Sequence, residues 1–249
     1  MLYADLAYGK NAAQRLDLYL PETSATAMMV YFHGGGLNAG DKDGSKYFAP
    51  YLAERGIAVA TANYRMYPDA RFPDFVEDAA AAVAWARDYM RTHLGCDRLY
   101  VGGSSAGGYL SMMLCFDKRY LEQASVAPTE VSGYFHDAGQ PTAHFNVLRE
   151  RGVDSRRVIV DETAPLYYVG LEESYSPMRF IVSDQDVHGR YEQTMLVLSA
   201  LSHFQYTGFD HVVVHGKHCA YWNQSDENGE SRLGHMILDF IQHVEELQK

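Results

Sequence analysis

Cysteine is scarce in this sequence of 249 residues, which has only Cys96, Cys115 and Cys219. Three is an odd number, and these residues lie too far apart to resemble the closely spaced pairs of a disulfide-stabilised secreted domain. The scarcity therefore argues against a disulfide framework and predicts a reducing, cytoplasmic location.

Positive charge is also in short supply. The sequence has 21 Lys and Arg residues against 32 Asp and Glu residues, which leaves a net charge of −11 with neutral histidines. Binding to nucleic acid requires clustered Lys and Arg side chains against the phosphates, and no such run occurs. Docking on anionic membranes has the same requirement. We therefore expect no nucleic-acid partner, no membrane partner and an acidic surface that keeps the protein in solution.

Long apolar runs are missing as well. No stretch approaches the ~18 uninterrupted apolar residues of a membrane-spanning helix. Residues 1–5 carry an acid and no basic group followed by an apolar run, so no signal peptide is predicted. No repeat or linker-like run divides the chain, and we expect one domain over residues 1–249.

Short apolar runs alternate with longer amphipathic ones along the chain. This alternation is typical of the α/β class, in which helices cover both faces of a mostly parallel central sheet. Pro21 and the polar residues after it predict a turn that joins the first two strands as an antiparallel hairpin at one edge. The predicted strands are residues 15–20, 27–32, 57–63, 98–102, 131–135, 178–182 and 211–215.

The helical pattern accounts for most of the remaining chain. One segment, from about residue 136 to residue 176, fits neither pattern and is long for a connection in such a fold. We expect this segment to form a small cap insertion over one end of the sheet. The predicted helices are residues 74–93, 106–117, 190–203 and 230–248.

A glycine–serine motif lies where one predicted strand ends and a predicted helix begins. The run Gly103-Ser104-Ser105-Ala106-Gly107 matches the pattern G-x-S-x-G, with Ser105 at its centre. Such a serine lies on a strained turn, and a side chain two residues to either side would collide with the neighbouring strand and helix. The motif predicts Ser105 as a nucleophile. Ser104, which lacks the symmetric glycines, is the alternative.

A second glycine-rich run, His33-Gly34-Gly35-Gly36, follows the predicted strand 27–32. Glycines allow two backbone N–H groups to point into a cavity that any Cβ would obstruct. The N–H groups of Gly35 and Gly36, together with that of Ala106 at the helix start, are predicted to stabilise an oxyanion. His33 is interpreted as a structural residue that holds this loop.

An acid and a histidine follow Ser105 in the order that a catalytic triad requires. A serine hydroxyl becomes a good nucleophile when a histidine removes its proton and an acid orients that histidine. Asp186 is preferred over Asp184, because a residue just past the strand end can turn back towards a histidine. His218, in the loop after the last predicted strand, is preferred over His215, which lies nearer the strand terminus.

With these motifs in place, the sequence resembles the esterases of the α/β-hydrolase superfamily. The similar group includes small carboxylesterases, xylan and sugar acetylesterases and kynurenine formamidase-like enzymes. Nearly the whole chain takes part, from an opening hairpin at residues 14–21 to a linking region with Asn63-Tyr64-Arg65 and Asp78. Ser105, Asp186 and His218 match the group's triad, and Arg65 and Asp78 are expected to form a structural ion pair.

Two departures favour the smaller, acetylesterase-like branch of that group. Members related to hormone-sensitive lipase usually carry an acidic residue just before the nucleophile, where this chain has Ser104. They also have a longer N-terminal cap than the residues that precede the glycine loop here. Our hypothesis for the substrate is a short acyl group, acetyl to butyryl, released from an alcohol such as a carbohydrate. Fold alone says little about the substrate.

Several polar and aromatic residues flank these motifs. Residues 137–146 are expected to line the mouth of the pocket. No metal or organic cofactor is expected, because the chemistry requires none and no metal-ligand spacing is visible. Further candidate substrate contacts are Leu37, Asn38, His144, Tyr221 and Trp222.

Two other functions stay open at this point. An amidase or formamidase would use the same triad as an esterase, so the sequence does not separate them. A non-catalytic member of the fold that binds a small molecule is less favoured, because every triad position is occupied. The partner is expected to be a small-molecule ester, and the oligomeric state is left open.

Overall fold

The short apolar runs of the sequence become one eight-stranded sheet in the computed structural model, which describes residues 1–247. The strand order across the sheet is β1-β2-β4-β3-β5-β6-β7-β8. The strands are β1 (Leu2–Ala7), β2 (Arg15–Tyr19), β3 (Ala27–Phe32), β4 (Ile57–Ala62), β5 (Leu99–Ser104), β6 (Val131–Asp137), β7 (Met178–Gln185) and β8 (Phe209–Lys217).

The sheet is mostly parallel, as predicted. β1 and β2 pair antiparallel, β2 also pairs antiparallel with β4, and every other pairing is parallel. All residues of β3, β4 and β5 are buried. Continuous burial is typical of parallel strands that helices cover on both faces.

The predicted hairpin between the first two predicted strands is wrong. β2 pairs with β1 and β4, whereas β3 lies between β4 and β5 in the middle of the sheet. A strand buried along its whole length has a neighbour on each side, and an edge position supplies only one. The actual hairpin joins β2 to β1, which the sequence analysis missed because β1 is short, exposed and contains Asp5.

Helices cover both faces of the sheet. In β3, Met28, Val30 and Phe32 belong to the core beneath α2, α3 and α6, while the alternate residues belong to the core beneath α1 and α7. The helices are α1 (Ala49–Ala53), α2 (Asp74–Tyr89), α3 (Ala106–Phe116), α4 (Arg119–Gln123), α5 (Phe145–Glu150), α6 (Arg190–His203) and α7 (Arg232–Leu247).

The long helices agree with the predictions to within a few residues. α6 has the predicted bounds. The predicted helix 74–93 stays α-helical only to Tyr89 and continues as the π-helical turn Met90–Leu94. The last predicted helix begins later, at Arg232, and its predicted end, Gln248, lies outside the described residues. Among residues 1–247, no helix combines the length and hydrophobicity that crossing a bilayer requires.

The segment predicted as a cap begins inside β6, which continues to Asp137. The chain that follows contains α5 and the 3-10 helix Pro165–Tyr168 before β7 starts. The Tyr109 hydroxyl of α3 donates to the Thr163 carbonyl at 2.7 Å, so this segment is tied to the helix that follows the nucleophile motif. That it forms a cap on a single domain stays a prediction.

Candidate active site

Ser105 lies on a tight turn between β5 and α3, with φ 55° and ψ −109°. The flanking glycines are a steric necessity. A Cβ on Gly107 would lie 1.9 Å from the Phe32 carbonyl oxygen, and one on Gly103 would lie 2.5 Å from the Gly107 carbonyl carbon. The predicted collision with the neighbouring strand and helix is therefore confirmed. The turn is strained and holds Ser105 at the carboxyl end of the sheet.

The structure brings Ser105, His218 and Asp186 into one chain of contacts. The Ser105 Oγ is 2.8 Å from His218 Nε2, and His218 Nδ1 is 2.5 Å from Asp186 Oδ1. Asp186 follows β7 and His218 follows β8, so all three lie at the carboxyl ends of parallel strands. This is the arrangement in which a histidine can accept a serine proton while an acid fixes its other ring nitrogen.

The Asp186 side chain is almost entirely buried, with 1% exposed, whereas the His218 side chain is 25% exposed. Burial by itself would raise the pKa of Asp186. The hydrogen bond and charge of His218, the Val187 N–H at 2.7 Å and the charge of Arg190 outweigh this and bring the pKa below its usual value. Asp186 is therefore ionised at neutral pH and can stabilise a positive charge on His218.

The alternative residues lie elsewhere. Asp184 Oδ2 is 2.7 Å from His215 Nδ1 in a pair of their own, with side chains 40% and 83% exposed. Ser104 is buried, and its hydroxyl contacts the Tyr31 hydroxyl at 2.7 Å and donates to Asp137. The structure thus brings to Ser105 the acid and the histidine that the sequence analysis preferred.

The glycine loop after β3 passes beside the serine. A Cβ on Gly34 would lie 3.2 Å from the Ser105 Cβ. Gly35 and Gly36 have φ of +115° and +65°, in the left-handed region that favours glycine. Ala106 is the first residue of α3, where backbone N–H groups lack intrahelical acceptors. Ala106 therefore lies next to Ser105 in sequence, and Gly35 lines the same cavity as Ser105, with Gly36 following it in the loop.

Two aromatic rings support this loop. His33 stacks on Tyr64 with ring centroids 4.5 Å apart and planes 14° from parallel. The Tyr64 hydroxyl donates to the His33 carbonyl at 2.9 Å, and His33 Nδ1 is 2.6 Å from the Gly34 carbonyl oxygen. Burial lowers the pKa of His33. These contacts agree with the interpretation of His33 as a structural residue.

The expected ion pair beside this loop is present. Arg65 Nη2 is 2.8 Å from Asp78 Oδ1, and the Arg65 N–H donates to Asp78 Oδ2 at 2.8 Å. Gln14 Nε2 also donates to Asp78, at 2.7 Å. The pair joins the chain after β4 to α2. Neither Ser105 nor His218 is among these hydrogen-bond partners, which fits a structural role.

A cavity of about 320 Å³ opens in front of Ser105. Its lining includes Gly35, Asp41, His218, Cys219 and Trp222. Asp41 and Cys219 were missed by the sequence analysis, although each lies close in sequence to a predicted motif. In residues 1–247 no group of three or more His, Cys, Asp or Glu side chains could hold a metal ion.

The structure places two of the five predicted substrate contacts at the cavity or beside the glycine loop, and three in the core. Trp222 lines the cavity, and Asn38 is exposed beside the glycine loop, with its Oδ1 3.3 Å from where a Gly36 Cβ would lie. Leu37, His144 and Tyr221 are buried, with at most 1% exposed. Side-chain direction is decided by packing, so nearness in sequence to a motif did not place these three at the cavity.

The expectation that residues 137–146 line the mouth of the pocket is also wrong for most of the segment. Nine of the ten residues are buried, and only Phe145 is partly exposed. The Phe145 ring lies against Gly36, where a Cβ would come within 2.8 Å of it. Phe145 therefore packs against the glycine loop, and polar groups of the segment find hydrogen-bond partners inside the protein.

Comparison with known proteins agrees with this architecture. The sequence matches the BD-FAE family over residues 16–201. It is 31% identical over 141 residues to a probable isoprenylcysteine alpha-carbonyl methylesterase of Arabidopsis thaliana, covering 54% of this chain and 33% of that protein. It is 36% identical over 110 residues to the carboxylic ester hydrolase LipN of Mycobacterium tuberculosis, covering 43% and 29%. The chain thus spans about a third of the length of these relatives.

Solved structures share the fold at low sequence identity. Esterase B from Lactobacillus rhamnosis superposes with a TM-score of 0.79 at 18% identity, covering 99% of this chain and 87% of that one. A truncated carbohydrate esterase from gut microbiota superposes with a TM-score of 0.75 at 18% identity, covering 96% of both chains. With the family match covering most of the sequence, the chain belongs to the BD-FAE family and has the α/β-hydrolase fold of these esterases.

Proposed function

We propose that this protein is a serine hydrolase that cleaves short-acyl carboxylic esters through Ser105, His218 and Asp186. One observation carries the proposal: His218 lies between a serine hydroxyl at 2.8 Å and a buried carboxylate at 2.5 Å. This geometry activates the hydroxyl and holds the imidazole in the tautomer that accepts its proton. The names of similar proteins, a carboxylic ester hydrolase among them, point the same way.

The first half of the reaction forms an acyl-enzyme. His218 Nε2 accepts the Ser105 proton as Oγ attacks the ester carbonyl, and Asp186 stabilises the imidazolium. The backbone N–H groups of Gly35, Gly36 and Ala106 donate to the carbonyl oxygen as it becomes negative. His218 then gives its proton to the departing alcohol.

The second half returns the enzyme to its starting state. Water enters the place of the alcohol, His218 takes a proton from it, and the hydroxide attacks the acyl carbon. The same N–H groups stabilise the second tetrahedral intermediate, and Ser105 leaves with the proton that His218 returns. No metal ion or organic cofactor is required for either half.

The cavity in front of Ser105 supports a small acyl group. Its volume of about 320 Å³ lies at the lower end of the usual range for ligand pockets. The Trp222 indole on its wall suits a sugar or aromatic alcohol as the leaving group, because aromatic faces stack on apolar ring surfaces. We therefore propose acetyl to butyryl esters, with an acetylated carbohydrate as the natural class.

Hydrolysis of p-nitrophenyl acetate by the wild type and by Ser105→Ala tests the proposal directly. We expect turnover by the wild type and none above background for the variant. An acyl series from acetate upwards should show kcat/KM falling beyond butyrate. Rates that keep rising past about eight carbons would exclude a short-acyl site. Full activity of Ser105→Ala would exclude Ser105 as the nucleophile.

Amide cleavage is the second candidate. A kynurenine formamidase of Danio rerio is 30% identical over 112 residues, covering 44% of this chain and 37% of that protein. The same triad can attack either bond, so matched acetyl ester and acetanilide substrates with one aromatic group decide between them. We expect the ratio of kcat/KM for the ester to kcat/KM for the anilide to exceed the ratio of their uncatalysed rates.

A further inference from the structure

A second buried acid, Asp137, lies directly behind the nucleophile and has no part in the mechanism above. It ends β6, and its register partner in the neighbouring strand is Ser104, the residue before the nucleophile. Asp137 is 0% exposed. Burying a carboxylate in a protein core costs free energy unless hydrogen bonds and charges compensate, so its presence there requires an explanation.

The Asp137 carboxylate contacts both elements that carry the reacting side chains. Its Oδ2 accepts from the Ser104 hydroxyl, and its Oδ1 accepts from the Tyr221 hydroxyl. The Asp137 backbone carbonyl accepts the Ser105 N–H at 2.7 Å. Asp137 therefore accepts two hydrogen bonds from the turn that carries Ser105 and a third from the chain just after His218.

Tyr221 is well placed to hold His218 still. It lies three residues after His218, in a tight turn where the Ala220 N–H donates to the Lys217 carbonyl at 3.1 Å. Cys219 in this turn has a φ of +50°, a conformation that costs free energy in a non-glycine residue. Such a turn keeps its shape only when its surroundings constrain it, and the Tyr221–Asp137 hydrogen bond is one such constraint.

We propose that Asp137 is a positioning residue that sets the geometry between Ser105 and His218. It does so by tying Ser104 and the Ser105 N–H on one side to Tyr221 on the other. The inference rests on the proposed function, because it concerns the same reaction. Tyr31, whose hydroxyl contacts Ser104 at 2.7 Å, closes the network from β3. A neutral, apolar core at this point would leave the two reacting elements without a shared partner.

The electrostatic environment is consistent with this assignment. Burial raises the pKa of Asp137 to about 6, while the hydrogen bonds from Ser104 and Tyr221 and the charge of His218 act in the opposite direction. A group kept at such a cost beside reacting residues is typical of functional sites.

The sharpest test removes one hydroxyl and leaves every carbon in place. Tyr221→Phe should lower kcat for p-nitrophenyl acetate about tenfold, since misplaced reacting groups lose rate steeply, and leave KM within about twofold. Tyr175→Phe is the matched control, because the Tyr175 hydroxyl also donates one hydrogen bond, to the Tyr168 carbonyl at 2.9 Å, but lies at the amino end of the sheet. The control should keep its kcat and its KM.

Two further variants separate positioning from general destabilisation. Ser104→Ala removes the other hydroxyl that donates to Asp137. In the double variant with Tyr221→Phe, the fold-decrease in kcat should be smaller than the product of the two single decreases, because both hydroxyls act through one carboxylate. Asp137→Asn keeps the side-chain shape and should slow labelling of Ser105 by a fluorophosphonate about as much as it lowers kcat. All variants are compared at a temperature where circular dichroism shows them folded.

The outcomes decide between the claims. A lower kcat with unchanged KM in Tyr221→Phe and Asp137→Asn, but not in Tyr175→Phe, supports positioning. Unchanged kcat in both, with an inactive Ser105→Ala, overturns the role of Asp137 and leaves the proposed function standing. An equal decrease of kcat in Tyr175→Phe also overturns the positioning role of Asp137. A wild type that neither hydrolyses the ester nor reacts with the fluorophosphonate overturns both proposals.

Discussion

Two aspartate–histidine pairs join the ends of β7 and β8, and their comparison explains why one of them can take part in chemistry. Asp186 and His218 are separated by 32 residues and Asp184 and His215 by 31, and both pairs are closely hydrogen-bonded. The first pair is largely buried and has the Ser105 hydroxyl on its far side. The second pair is exposed to solvent, with the His215 side chain 83% accessible.

A local irregularity between the two strands separates the pairs. The register of β7 against β8 shifts between Ser183 and Gln185, which is the signature of a bulge. Gly216 opposite it has a φ of +132°, and its N–H donates to Asp184 Oδ1 at 2.9 Å. A bulge changes the direction of the side chains that follow it. Because β8 advances from Val214 to Lys217 while β7 advances only from Ser183 to Gln185, the extra residue lies in β8, shortly before His218.

An aspartate–histidine contact is therefore not sufficient for function. In water the exposed pair is screened and contributes little. In the buried pair the same contact acts at a lower effective dielectric and leaves the second histidine nitrogen facing the Ser105 hydroxyl.

Removing each histidine in turn should give the largest difference in kcat between the two pairs. We expect His218→Ala to lower kcat about 10⁵-fold or more, because the base is lost, whereas His215→Ala should stay within about twofold of the wild type. Ester hydrolysis at pH 8 measures both. If His215→Ala were the inactive variant, the assignment of the base would be wrong.

Neutralising each acid should give the next largest difference. Asp186→Asn should lower kcat about 10⁴-fold, since the amide favours the wrong histidine tautomer, and Asp184→Asn should leave kcat nearly unchanged. The kcat values of the two purified variants, with circular dichroism as a folding control, provide the measurement. A large loss in Asp184→Asn alone would reverse the choice of acid.

The buried acid Asp137 should differ from the exposed Asp184 in the sign of its pH effect on stability. The pKa of Asp137 is about 6 in the folded protein against 3.8 for a free side chain. Between these values the folded state keeps a proton that the unfolded state has lost, so stability falls as the pH rises from 4 to 6 and the loss is complete above 6. Asp137→Asn should therefore gain ~3 kcal/mol relative to the wild type over this window.

Urea unfolding of both proteins at intervals from pH 4 to pH 8 measures that difference. Asp184→Asn is the control. The Gly216 N–H and His215 lower the pKa of Asp184, so its contribution is present above its unfolded pKa and is lost only as the pH falls further. A difference between Asp137→Asn and the wild type that stays flat with pH would contradict the raised pKa.

The smallest expected effect concerns the loop that carries His218, which also carries Trp222 on the cavity wall. Trp222→Ala should raise KM for an aromatic ester about threefold to tenfold, the effect of one lost aromatic contact, with kcat little changed. The other tryptophan, Trp85, stacks on Tyr89 of α2 with ring centroids 5.2 Å apart and is the matched control. An equal rise in KM for Trp85→Ala would show that Trp222 makes no specific contact.

Some features of the fold and site could be predicted because they depend on local chemistry. The glycines around Ser105 follow from steric collisions within a few ångströms, and α6 follows from its helical periodicity. Short helices such as α1, α4 and α5, of five or six residues, are too short to show a periodicity. β1 was missed because an exposed edge strand carries no continuous apolar pattern.

Other features depended on contacts between distant parts of the chain. Tyr221 and His144 were expected at the substrate, but Tyr221 is held by Asp137 and His144 is buried, with its Nδ1 accepting the Asn146 N–H at 3.2 Å. The place of β3 between β4 and β5 depends on pairings that local pattern does not encode. The positioning role proposed for Asp137 depends on its complete burial, which no local pattern in the sequence predicts.

The amino-acid sequence by itself determined which residue types could do the chemistry and in what order they occur. It also determined the mostly parallel sheet and the nucleophile turn, since glycine spacing and apolar runs act over short distances. The tertiary structure alone decided that Asp186 and not Asp184 contacts His218, because packing and burial set side-chain direction. It also decided that Asp137 lies behind Ser105, because strands far apart in sequence become neighbours only in the folded sheet.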